Sequence, residues 1–207
     1  MSARASTIIR VLLLAAIAII AAAGLLRPIR EPRREASAKA QRSPSEHMTR
    51  EGLIALDADA LLERVRSSQA RGIVINVWAS WCGSCKQDLP MLLGLKRTLG
   101  ASIDVLLVSV DESASLPIAA EMLREFGAPS PAFVVDQPLD AFKARINPRW
   151  PGMLPATFLF DETGKLRYFW GGPVLEGEIL PLLRRYLAGE HVDGEANFAL
   201  MPGKVTR

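Results

Sequence analysis

Two stretches of this chain are apolar at nearly every position, GIVINVWA at 72–79 and IDVLLVSV at 103–110. Runs of that length suit strands buried on both faces of a sheet. Around them the apolar positions follow the helical period. Asp57 or Asp59 can cap a helix reaching about Gln69, with Leu61, Leu62 and Val65 on its inner face. Cys82 to about Leu99 predicts a helix interrupted at Pro90, which has no N–H to donate. Pro117 stands near the start of a helix that Gly127 closes. Ala132–Asp136 predicts a strand and Leu139–Ile146 a short helix. Thr157–Asp161 and Lys165–Trp170 flank the turn Glu162-Thr163-Gly164 and predict a hairpin, followed by an amphipathic helix over Leu175–Leu187. Alternating strands and helices imply a parallel unit, and the hairpin adds antiparallel strands. The predicted class is α/β, a mixed central sheet flanked by helices.

The N-terminal pattern is different. Val11–Leu26 is a run of 16 residues without a charge, and Thr7, Ile8, Ile9 and a snorkelling Arg10 lengthen it to a segment 7–26 that can span a membrane. The same run fits a signal peptide with Ala21-Ala22-Ala23 as the cleavage site, so anchor and cleaved leader both stand. A buried helix of a soluble domain fits less well, because the run is apolar on all faces and terminal. Residues 27–50 are polar, basic and Pro-containing, the composition of a flexible linker. The resulting organisation is a short segment 1–6, an anchor or signal peptide 7–26, a linker 27–50, a folded domain 51–188 and a loose tail 189–207. Orientation pulls two ways. Arg27, Arg30, Arg33, Arg34, Lys39 and Arg42 outnumber Arg4 and Arg10, and that asymmetry alone would keep the domain in the cytoplasm.

Charge narrows the function classes. The chain holds 25 Lys and Arg against 22 Asp and Glu, but residues 1–50 carry 9 of the basic and only 3 of the acidic side chains. The remaining 157 residues are therefore net acidic. A nucleic-acid partner is not expected, since phosphate neutralisation needs the positive charge on the domain itself.

The only two cysteines are Cys82 and Cys85. A bridge between them closes a loop of about four residues, the least effective kind of staple. Cys82 follows a predicted buried strand and opens a helix, where unpaired N–H groups and the helix dipole favour thiolate. Cys85, three residues on, shares its helical face within disulfide reach. Cys82 is thus suited to attack a disulfide and Cys85 to resolve the mixed disulfide. A zinc site would need further ligands, and the two histidines, His47 and His191, lie in the predicted linker and tail, so no metal is expected. An inert buried pair has no need of a helix start.

Trp81-Cys82-Gly83-Ser84-Cys85-Lys86 after a strand, with Leu154-Pro155-Ala156-Thr157-Phe158 before another, resembles the thioredoxin fold. More closely, the chain resembles the membrane-anchored TlpA/ResA-type thioredoxins over roughly residues 50–188. Asn76-Val77-Trp78-Ala79 matches the end of that family's strand, Asp88 and Pro90 match the carboxylate and proline after its second cysteine, and Gly171 matches the glycine after its hairpin. The resemblance implies that Pro155 is the family's cis-proline, setting the backbone of Leu154 beside the cysteines for an extended client to pair with. The other reading of Pro155 is an ordinary trans proline at a strand start. It also implies that Asp88 handles the proton of Cys85, a role sharpened because Asn76 replaces the buried aspartate of many thioredoxins. Asp88 is one methylene shorter than the family's glutamate, and the bland reading places it in solvent. Trp81 is expected to form an apolar docking wall and Trp78 to be core. Ser84 replaces a common proline, and with Gly83 it tunes the redox potential.

The implied function is a membrane-anchored thiol:disulfide oxidoreductase facing the periplasm, more a reductant than an oxidant. Its clients would be disulfides of exported proteins, with apocytochrome c or a metal-centre assembly factor suggested by the resemblance. Electrons would come from a CcdA/DsbD-type membrane carrier, and no bound cofactor is needed because the two sulfurs hold the electrons. An oxidase or isomerase of the same fold and a non-catalytic binding module or chaperone are the rivals. A peroxide-reducing role lacks a Thr-x-x-Cys arrangement.

Overall fold

The computed structural model describes residues 44–197. The segments 1–6 and 7–26 lie outside the described residues, as do 27–43 of the linker and 198–207 of the tail. Among the described residues no helix is long and apolar enough to cross a membrane.

The central strand β3 is the first apolar run, Gly72–Trp78, and all seven of its residues are buried. The second run forms β4, Ile103–Ser109, paired with it in parallel from Gly72↔Ile103 to Trp78↔Ser109. Period-two alternation sends Ile73, Ile75 and Val77 to one face of β3. There they pack with Leu61, Leu62 and Val65 of α1 (Ala58–Ser67) and Phe142 of α4 (Leu139–Ile146). On the other face Val74 meets Leu92 and Leu95 of α2 (Gly83–Leu99), and Trp78 meets Leu89 and Leu93. The helices α3 (Leu116–Glu125) and α5 (Glu176–Leu187) join these two clusters, giving a sheet between helical layers. Gly72 is required by close approach, because a Cβ there would stand 2.7 Å from Ile103 Cδ1 and 2.8 Å from Tyr186 Cε1.

With β1 at Glu46–Met48 and β8 at Gly194–Asn197, the full sheet runs β1-β2-β5-β4-β3-β6-β7-β8. Here β2 is Ile54–Leu56, β5 is Phe133–Val135, and the hairpin is β6 (Ala156–Asp161) with β7 (Leu166–Gly171). Antiparallel β3/β6 and β6/β7 beside parallel β3/β4, β4/β5 and β2/β5 make the sheet mixed, as the alternation predicts. Asp57 is the helix cap, accepting from the Ala60 N–H at 2.8 Å.

Several expectations are corrected. The linker does not extend to residue 50, because Glu46–Met48 forms β1, an antiparallel edge strand on β2. The tail does not loosen at 189, because Gly194–Asn197 forms β8 in parallel with β7. Both strands are short and polar, so they carry no periodic signal, and backbone pairing to an open sheet edge is what orders them. Arg64 Nε donates to Glu46 Oε2 at 3.0 Å, and Arg167 Nε lies 2.7 Å from Asp193 Oδ1, adding an ion pair beside each edge. Helix α2 is continuous through Pro90, which lies on its exposed side, where solvent can hydrate the carbonyl left without a donor.

Candidate active site

The site forms where β3 ends and α2 begins. Cys82 is the N-cap of α2, and its Sγ accepts from the Cys85 N–H at 3.3 Å. The two cysteines are joined, with an S–S distance of 1.99 Å. Their exposures differ. Cys82 retains 7% of its surface and Cys85 none, so of the two residues only Cys82 reaches the surface. Ser84 Oγ lies 3.6 Å from Cys82 Sγ, a polar group near the position where thiolate charge forms. Gly83 is exposed.

Trp81 stands beside Cys82 with 67% of its surface exposed, an unusual position for a large aromatic group, whereas Trp78 is fully buried. The Leu154–Pro155 bond is cis, so the trans reading of Pro155 is set aside, and the Ser130–Pro131 bond, not foreseen from sequence, is cis as well. Leu154 is half-buried and packs against the cluster that contains both cysteines. The ladder of β6 with β3 starts at Ala156, so Leu154 precedes the paired strand.

Asp88, one turn after Cys85, is 5% exposed and does not face solvent. Its Oδ2 accepts from the Val174 N–H at 3.1 Å. Burial pushes its carboxyl up to about 6, and the Val174 hydrogen bond opposes that rise. A carboxylate with a pKa near neutrality is suited to exchange a proton with a thiol during turnover. Asn76, also buried, donates from Nδ2 to Thr157 Oγ1 at 2.9 Å and adds no charge.

Two supports were not legible beforehand. Val174 comes from the connection after β7, where Gly172 N–H also donates to the Pro155 carbonyl at 2.9 Å. That connection therefore holds Asp88 and the cis-proline together. The second support is Asp111, 4% exposed, whose carboxylate accepts from Ser80 N–H at 2.8 Å, Ser80 Oγ at 2.6 Å and Ser109 Oγ at 2.6 Å. It fastens the Ala79–Cys82 turn to the end of β4. A carboxylate directly after the second apolar run was the available signal, since parallel pairing places the ends of β3 and β4 side by side.

The AhpC/TSA family matches the chain over residues 53–169. The thiol:disulfide interchange protein DsbE of Allochromatium vinosum is 32% identical over 121 residues, 56% of this chain and 62% of that protein. The thiol-disulfide oxidoreductase ResA of Geobacillus thermodenitrificans is 27% identical over 127 residues, 59% of this chain and 67% of that one. The match thus spans less than two thirds of the length of the Allochromatium protein. A thiol:disulfide interchange protein of the thioredoxin family from Chlorobium tepidum, solved by crystallography, superposes with a TM-score of 0.51 at 18% identity, covering 70% of this chain and 93% of that one. That likeness concerns the fold, which is thioredoxin-like.

Proposed function

The chain belongs to the AhpC/TSA family, and on that premise we propose that it is a thiol:disulfide oxidoreductase working through Cys82 and Cys85. The observation that carries the reading is the unequal pair at a helix start: a Cys82 that reaches the surface, a buried Cys85 and a carboxyl poised near pH 6 one turn behind. In the reducing direction the Cys82 thiolate attacks one sulfur of a client disulfide and the other client sulfur leaves as thiolate. Cys85 then gives its proton to Asp88 and attacks Cys82 Sγ, releasing the second client sulfur. Two electrons pass to the client, and the Cys82–Cys85 disulfide remains.

The finer reading follows from the resemblance to the membrane-anchored TlpA/ResA-type thioredoxins. Residues 7–26 anchor the protein in the inner membrane, and the domain faces the periplasm. Clients are disulfides of exported proteins, apocytochrome c or a metal-centre assembly factor among them, and a CcdA/DsbD-type carrier restores the dithiol. Leu154, Pro155, Trp81, Gly83 and Ser84 form the face on which the client is laid. The deciding experiment is the reduction potential of the full-length protein equilibrated in defined thiol buffers, followed by Trp fluorescence. A value at or below about −230 mV is expected for a reductant. A value of about −120 to −180 mV would reverse the direction, and the absence of a reversible transition would refute the redox function.

A further inference from the structure

A groove of about 910 Å³ lies beside the exchange site. Trp81, next to Cys82 in the chain, and Leu154, packed against the cluster of both cysteines, line it, so groove and exchange site share a wall. Val135 and Leu139, both half-buried, supply apolar lining, and Glu112 and Asp136 are exposed along it. Asp111 also lines it, its carboxylate held by the neutral donors of Ser80 and Ser109. Among the described residues neither lysine nor arginine lines the groove. His47 of β1 is the one basic side chain among the described residues that line it, with Nδ1 3.6 Å from Asp136 Oδ2. Lys143 passes close to Gly152 at the rim, but its amine is held by Asp140 at 2.9 Å.

We propose that this groove receives an extended segment of the client carrying lysine or arginine next to apolar residues and adjacent to its disulfide cysteine. The inference rests on the exchange function proposed above and specifies its substrate class. Three carboxylates along a partly apolar channel create a negative potential that draws cations and repels acidic segments. A Lys or Arg side chain suits the lining twice, with its methylene stem against Val135 and Leu139 and its charge toward Glu112 and Asp136. Continuity with Trp81 and Leu154 means that a segment lying here brings its neighbouring cysteine to Cys82. The groove thereby selects clients by charge before any sulfur reacts.

The test uses the full-length oxidised protein and two cysteine-free peptides identical except for Lys or Glu at the charged positions, with binding read by Trp fluorescence. The Lys peptide is expected to bind about fivefold more tightly at low salt, the effect of two exposed charge contacts. The preference should fall below about twofold in 1 M salt, where the Debye length is about 3 Å. It should fall similarly in the double variant Glu112→Gln, Asp136→Asn. Equal binding of the two peptides, or a preference that survives in the double variant, overturns the proposal. Concentration-dependent dimerisation that protects Trp81 from a soluble quencher also overturns it, a second copy then being the occupant. Reduction of the neutral hydroxyethyl disulfide by the dithiol form reads the exchange function separately. Failure there removes that function, while the peptide preference is still judged by binding alone.

Discussion

Replacing Asp88 by Asn removes a charge that the fold buries while leaving an oxygen to accept from Val174 N–H. The carboxyl's ordinary value is 3.8, and burial in the folded, oxidised protein pushes it up to about 6. A rise of that size disfavours the ionised folded form by on the order of 3 kcal/mol, and solvent at the nearby surface screens this to about 2 kcal/mol. The sign follows from proton linkage. Because the folded state holds the proton more tightly, the relative stability from protonated Asp88 is fully present below about pH 3.8 and is lost as pH rises through about 6. Asn has no such loss. The variant and the native protein should therefore melt together at pH 3.5 and separate as pH rises, the variant ending about 4 to 8 °C higher by pH 7.5. Differential scanning calorimetry of the oxidised forms from pH 3.5 to 8 measures this. Parallel melting profiles across that range would refute the claim that Asp88 is a buried, protonatable group. The same substitution should slow resolution of a preformed mixed disulfide about 100-fold at pH 7, the usual contribution of a positioned base. A variant more stable yet slower is the signature of a group held in an unfavourable state for use.

Other consequences are simpler to read. Cys82→Ser should abolish exchange with client disulfides, whereas Cys85→Ser should accumulate a covalent one-to-one complex with the client, visible on a non-reducing gel and dispersed by reductant. If Cys85→Ser turns over like the native protein, the resolving role is wrong. Asp111→Ala leaves the buried Ser80 N–H and two hydroxyls without their acceptor and should cost about 2 to 4 kcal/mol in denaturant unfolding. A loss under about 0.5 kcal/mol would show that the Ala79–Cys82 turn is held by other contacts.

Much of the fold is decided locally. The runs at 72–79 and 103–110 have too few polar positions to be anything but central strands, and parallel pairing in register follows once a helix must cross between them. The Asp57 cap, the hairpin turn and the exchange pair at the start of α2 are likewise written within a few residues of where they act. The tertiary structure decided what depends on distant partners. Asp88 is poised near pH 6 because the folded chain buries it, while the N–H of Val174, 86 positions along the chain, opposes the rise, and no local pattern encodes either effect. Asp111 reaches Ser80 only because adjacent strands end together. Strands β1 and β8 exist because open sheet edges offer backbone groups to pair with, a demand their own side chains do not announce. The acidic groove is assembled from β1, the turn bearing Trp81, and the segments after β4 and β5. Side-chain chemistry is local, but burial and charge field are sums over neighbours that only the folded chain brings together.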